Sequence, residues 1–304
     1  MFKKIRAKYV VEKLMRKKYP KKSKESLTID DIIKGYETDK ILNKKTPITT
    51  IGSCFAEELR QWLKSSNYNI KEPKWGQVYN IKNIRQIFEM SLEPEKWNPV
   101  EEVWKFDNDI RHPYIKGPEM EPYRIGDLDN YKKNMSELHK SFAKVLKSVD
   151  VIIITLGQTE YWANKNDNSA FYAAPWNNIK NGEENHRFYN LSVEEVKNEL
   201  KQCFDLLIKH NPNIKIVISV SPVPLVASGQ ESLTGYILAG KAKSSQHIAT
   251  LEVIEDYENI QYMPSFEIVN SDLIGSYLSD GRHIQPSKVK KIMETFEKLF
   301  VINE

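Results

Sequence analysis

Long apolar runs are missing from the 304 residues. The best, Val149 to Leu156, is interrupted by Asp150 and has a strand's length, well short of the roughly 18 apolar residues of a membrane-crossing helix. Cysteine is scarce as well. Cys54 and Cys203 alone supply neither a disulfide framework nor a four-thiolate zinc site, so no metal is expected. The N-terminus has no signal-peptide apolar core, and a reducing cytoplasm is the expected compartment. Internal repeats and a glycine-rich phosphate loop are also wanting. What is present is a soluble globular balance, 40% apolar and 28% charged, which excludes disorder and a collagen-like fibre.

The overall charge of +4 is unevenly placed. Residues 1–25 hold eleven Lys or Arg against Glu12 and Glu25, leaving the remainder of the chain at −5. Phe2, Ile5, Val10, Val11, Leu14 and Met15 interleave with those cations. The segment 1–26 is therefore either a basic helix for peripheral contact with the inner membrane face or a solvated tail. Nucleic acid is not an expected partner, since no groove-reading motif accompanies the tail and an acidic body repels phosphate.

Residues 27–304 read as one α/β domain. Thr46–Gly52, Val149–Leu156, Ile214–Val220 and Asn259–Met263 are β-branched or apolar runs of strand length, with a further strand expected before Trp75. Helical spacing marks Cys54–Ser66, residues 193–207 behind Ser192, and Ser287–Phe300 behind Pro286. Strands alternating with helices predict a parallel, doubly wound sheet in a three-layer α/β/α sandwich. Two long insertions, about 91–127 and 161–190, are rich in aromatics, among them Trp97, Trp104, Tyr123, Trp162 and Trp176. Such rings either stack on sugars or give each insertion a small core of its own.

Ligands bind beyond the carboxyl ends of parallel strands, so the residues following each strand are the first candidates. Gly52-Ser53-Cys54-Phe55-Ala56 puts a hydroxyl where strand turns into helix, a position suited to a nucleophile and equally to a helix N-cap. Gly76, in Trp75-Gly76-Gln77-Val78-Tyr79-Asn80, is either a close-approach glycine or a turn. Gly157-Gln158-Thr159-Glu160 follows the third strand. Asp280-Gly281-Arg282-His283 lets one turn supply an imidazole and the carboxylate that fixes its tautomer, which is what a serine nucleophile requires. His139, His186, His210 and His247 read as helix-surface or loop residues. Cys54 is the rival nucleophile, although its place at the helix start suggests a small hydrophobe packed on the sheet. Cys203 falls on an apolar helical stripe and reads as core. Asn80, Trp162, His112 and Arg282 are the candidate substrate contacts.

The opening pentapeptide and closing Asp-x-x-His resemble the GSCFA-domain family, a bacterial branch of the SGNH (GDSL-like) hydrolases, over about residues 46–300. The resemblance implies Ser53 as nucleophile, His283 as general base and then acid, and Asp280 as its carboxylate. It also implies an oxyanion held by the N–H groups of Ser53 and Gly76. Where such enzymes have Gly-x-Asn-Asp this chain has Thr159 in the asparagine's place, so the third donor is Thr159 or Gln158. Glu160 is expected to hold a loop through a charge-assisted hydrogen bond.

The expected activity is that of a serine-dependent O-acyl esterase or O-acyltransferase, with acetyl the expected acyl group, on a bacterial glycan or glycan precursor. No cofactor is expected, acetyl-CoA being the donor substrate if acyl groups are transferred. A catalytically weak or inactive glycan-binding protein on the same fold is the alternative. A Ser53 hydroxyl within about 3.5 Å of a His283 ring nitrogen, with Asp280 on the other nitrogen, is the expected geometry.

Overall fold

A computed structural model describes residues 28–107, 109–116, 122–124, 128–175, 179–271 and 275–302. The basic segment 1–26, Trp176 and the Tyr123 side chain fall outside the described residues. In chain order the elements are β1 (Ile48–Gly52), α1 (Cys54–Ser65), α2 (Ile81–Leu92), β2 (Trp104–Lys105), β3 (Ile110–Lys116), β4 (Pro122–Arg124) and α3 (Leu128–Ser148). They continue with β5 (Val151–Leu156), β6 (Glu160–Asn164), β7 (His186–Asn190), α4 (Val193–His210), β8 (Lys215–Val220), α5 (Gly235–Val253), β9 (Ile260–Tyr262), α6 (Ser265–Asn270) and α7 (Pro286–Phe300).

Four strands form one parallel sheet in the order β1-β5-β8-β9. Alternation along β5 explains its unbroken apolar run. Ile152, Ile154 and Leu156 face one helical layer, built from α2, α3, α4 and α5, while Val151 and Ile153 face α1, α6 and α7. The result is an α/β/α sandwich. The strand expected before Trp75 is reduced to a single parallel bridge between Ile48 and Ile70, because Pro73 removes a ladder donor three residues on.

Helix starts follow local chemistry. Ser192 and Glu195 form a reciprocal capping box on α4, and Cys203 on its inner stripe is fully buried. α2 and α4 are joined by a buried charge cluster in which Glu199 receives Lys82 at 3.1 Å and Arg85 at 2.5 Å. Replacing Glu199 by glutamine leaves buried Lys82 without its carboxylate while Arg85 keeps Glu89, and a loss of about 3 kcal/mol in urea denaturation is the expected result.

Residues 91–127 contribute the small antiparallel sheet β2-β3-β4, and residues 161–190 the antiparallel pair β6-β7. Trp104 and Tyr114 from the first pack against Phe171 from the second, with ring centroids 5.1 and 5.8 Å apart. These rings form core shared between the two stretches. His186 is corrected by the same packing: it is buried, not on a loop surface, and its Nε2 lies 2.9 Å from Glu101. No helix among the described residues is long and apolar enough to cross a membrane.

Candidate active site

The carboxyl end of β1 is built around Gly52. Its φ of +142° is one that side-chain-bearing residues rarely adopt, and a Cβ there would lie 2.2 Å from the Thr155 carbonyl oxygen of the neighbouring strand. This close approach lets the chain leave β1 and enter α1 within one residue, with Ser53 as the N-cap. The Phe55 N–H donates to Ser53 Oγ at 3.3 Å, and Ser53 Oγ also shares a 3.1 Å hydrogen bond with Thr155 Oγ1. Nucleophile candidate and helix cap are one residue.

Ser53 opens onto a cavity of about 650 Å³ at the carboxyl edge of the sheet, and His283, arriving from the loop before α7, lines the same cavity. Asp280 is hydrogen-bonded to His283 Nδ1 and accepts the backbone N–H groups of Arg282 and His283 at 2.9 and 3.0 Å. Those donors, the Arg282 N–H first, push the Asp280 carboxyl down to about 2. Among the described residues Ser53 Oγ makes no hydrogen bond to His283; its hydroxyl shares one with Thr155 Oγ1 instead.

The oxyanion candidates separate. The Ser53 N–H donates to Thr155, at 3.3 Å to its carbonyl and 3.1 Å to its Oγ1, continuing the β1–β5 ladder. Gly76 is exposed with φ +69° and lies against the Lys116 side chain, outside the cavity lining. Thr159 turns away and donates to Asn190 Oδ1 at 2.8 Å. Gln158 lines the cavity. Glu160 accepts from Ser228 Oγ at 2.7 Å and from the Gly229 N–H at 3.3 Å, tying down the loop that follows β8.

Among the substrate-contact candidates, Arg282 lines the cavity and Trp162 lines an adjoining recess that shares Gln158, Tyr172 and Ala227 with it. Asn80 caps α2 instead, accepting the Lys82 N–H and donating to the Glu160 carbonyl. His112 is placed elsewhere: it is buried on β3 and faces a separate cavity with His139, because β3 carries it to the far side of the inserted sheet. Burial there lowers the His112 imidazole to about 3.

Cys54 departs from the sequence expectation. It is half-buried and lines the cavity beside Ser53, since the first turn of α1 presents it to the open end of the sheet. Burial pushes its thiol up, which holds it protonated. Residues that no local motif announced complete the site. Gln77 Oε1 accepts from Tyr79 Oη at 2.8 Å and from Lys116 Nζ at 3.1 Å. Beneath the floor, Lys243 of α5 is buried and donates to the Gly157 carbonyl at 2.5 Å.

Burial pushes the Lys243 ammonium down to about 7 from lysine's ordinary 10.5. Between those pH values the unfolded chain binds more protons than the folded one, so this group makes stability rise with pH, by at most about 1.4 kcal/mol per unit. Urea midpoints at several pH values above 7 should rise more steeply in the wild type than in Lys243→Met.

A serine leaving the first strand of a parallel α/β/α sheet, sharing a cavity with an Asp-x-x-His loop from late in the chain, resembles the arrangement of the SGNH, or GDSL-like, class. The chain belongs to the GSCFA family, whose family model matches residues 47–296. Among solved structures it is similar to a Streptococcus pneumonia protein described as a candidate platelet activating factor, with 13% identity, a TM-score of 0.43 and 84% of each chain covered. It is also similar to a candidate GDSL-like lipase from Parabacteroides merdae, at 16% identity and a TM-score of 0.38, covering 85% of this chain and 97% of that one. A family 3 carbohydrate esterase of Clostridium thermocellum has 12% identity and a TM-score of 0.32, with 84% and 95% covered. No curated protein matches the sequence.

Proposed function

We propose that the protein is a serine-dependent O-acyl esterase or O-acyltransferase acting on an acylated saccharide of a bacterial glycan or its precursor. The observation that carries this reading is that Ser53 and the Asp280-supported His283 open onto one cavity. Rotation about the Ser53 Cα–Cβ bond exchanges the Thr155 contact for the imidazole and turns the hydroxyl to the substrate carbonyl. His283 then takes the hydroxyl proton as Ser53 Oγ bonds to the acyl carbon, and returns it to the departing alcohol. Water or an acceptor hydroxyl, activated by the same imidazole, releases the acyl group. For transfer, an acyl donor such as acetyl-CoA supplies it.

Of the oxyanion donors the family resemblance implies, this reading keeps Gln158 and adds the Cys54 N–H in place of the Ser53 and Gly76 N–H groups. The Cys54 N–H at the start of α1 has no acceptor among the described residues, and the Gln158 carboxamide stands in the cavity wall. The aromatic recess of Trp162, Tyr172 and Phe188 beside the cavity suits a sugar face.

The alternative, a glycan-binding protein with little catalysis, is favoured by one feature: Ser53 Oγ rests on Thr155. A fluorophosphonate probe separates the two, because it reacts only with an activated serine. Labelling at Ser53 supports the enzyme; a folded wild type that stays unlabelled removes it.

A further inference from the structure

Gly157 and Gln158 follow β5 at the cavity, and both line it. Every backbone polar group of this pair is held from another part of the chain. Both N–H groups donate to the Tyr79 carbonyl at 2.9 Å, and Tyr79 lines the same cavity. From the other side α5 supplies two donors one turn apart. Lys243 Nζ donates to the Gly157 carbonyl at 2.5 Å, and Gln246 Nε2 to the Gln158 carbonyl at 2.9 Å. Gly157 is packed so closely on Tyr79 that a Cβ would lie 3.0 Å from the Tyr79 carbonyl oxygen. The dipeptide cannot turn without breaking several hydrogen bonds at once.

Packing alone does not call for these two side chains. Their neighbours on α5, Ala239, Ala242 and Ala249, are small, apolar and buried, and methionine at 243 or 246 would fill the same space without desolvating an ammonium or a carboxamide. Gln246 Oε1 is buried with no hydrogen-bond partner among the described residues, a cost incurred beside the bond that its Nε2 makes. Two costly buried donors therefore converge on one dipeptide at the edge of the cavity. The Lys243 ammonium also polarises the peptide unit whose N–H bonds Tyr79, so the two hydrogen bonds strengthen each other.

We infer that Lys243 and Gln246 are positioning residues of the acyl-transfer site, clamping residues 157–158 so that the Gln158 carboxamide meets the oxyanion formed on the acyl carbon. This rests on the acyl-ester reading above and on Gln158 as an oxyanion donor. In the resting site the carboxamide Nε2 lies 3.3 Å from the Glu160 carbonyl, a long hydrogen bond readily exchanged for a shorter, charge-assisted one.

The test is a double-mutant cycle read with para-nitrophenyl acetate, each kcat being taken per serine reactive toward the fluorophosphonate probe so that inactive protein drops out. Gln158→Ala should lower kcat by about 10²-fold or more, the loss of one oxyanion donor. Lys243→Met and Gln246→Met should each lower kcat by about tenfold or more with KM within about twofold, because the misplaced group acts on the transition state. In a Gln158→Ala background the same substitutions should cost less than about twofold, since the group they position is gone. Equal losses in both backgrounds, or no loss in the wild-type background, overturn the inference.

A second measurement needs no turnover. By hydrogen exchange, the Gly157 and Gln158 amides should exchange at least about tenfold faster in Lys243→Met and in Gln246→Met, while those of β1 keep their rate. Unchanged exchange at 157–158 overturns the clamp. A wild type that neither turns over ester nor labels at Ser53 fails the acyl-ester reading and takes the positioning role with it. Turnover that is uncoupled from Gln158 leaves that reading standing and overturns this inference alone.

Discussion

Replacing Ser53 by alanine is expected to abolish fluorophosphonate labelling and to lower ester turnover by about 10⁴-fold or more, and His283→Ala to do the same. Each acts as part of one proton-transfer unit, so the double variant should be scarcely worse than either single one. Asp280→Asn should cost nearly as much, because the carboxylate fixes the imidazole tautomer and balances its charge during transfer. With its carboxyl pushed down to about 2, Asp280 stays ionised throughout the pH range of an assay, so the acid side of the rate profile does not belong to it. Folding of each variant is checked by circular dichroism, since Ser53 also caps α1 and its loss costs about 1 kcal/mol of helix stability. Labelling that persists in Ser53→Ala would move the nucleophile to another serine, Ser221 being the other one in the cavity lining.

The second large effect belongs to Gly52. An alanine methyl would meet the Thr155 carbonyl oxygen at 2.2 Å and its hydroxyl at 2.5 Å, at a φ of +142°. Neither neighbour can retreat, because Thr155 is a central-strand residue registered against Gly52 itself. Gly52→Ala is expected to lose at least about 4 kcal/mol in urea denaturation, or to give no soluble protein. Gly235 provides the control, for a Cβ there meets nothing within 4 Å, and Gly235→Ala should shift stability by no more than about 1 kcal/mol. A Gly52→Ala protein as stable as the wild type would mean that the strand-to-helix turn is not as described.

Periodicity was enough to reveal the sheet's parallel strands and the helices α1, α4 and α7, because burial on two faces or on one stripe repeats every two or every three to four residues. The helices α2, α3 and α5 escaped that reading. α5 spreads small and polar residues around its circumference, with Ala239, Ala242, Ser245 and Ala249 buried, so no stripe stands out. The inserted stretches hid their order for a related reason: His112, Tyr114 and His186 are buried by one another's segments, not by a face of their own element.

For the site, residues 52–56 and 280–283 by themselves determined which hydroxyl, imidazole and carboxylate to consider, since strand end, turn and spacing are properties of neighbouring residues. Only the tertiary structure decided which donors look into the cavity. It turned Thr159 toward Asn190, tied the Ser53 N–H and hydroxyl to Thr155, set Cys54 in the cavity wall, brought Lys116 and Arg282 there from distant parts of the chain, and placed Lys243 on the Gly157 carbonyl. Convergence of that kind depends on long-range packing and on where buried charge finds a partner, and neither leaves a mark at short sequence separation.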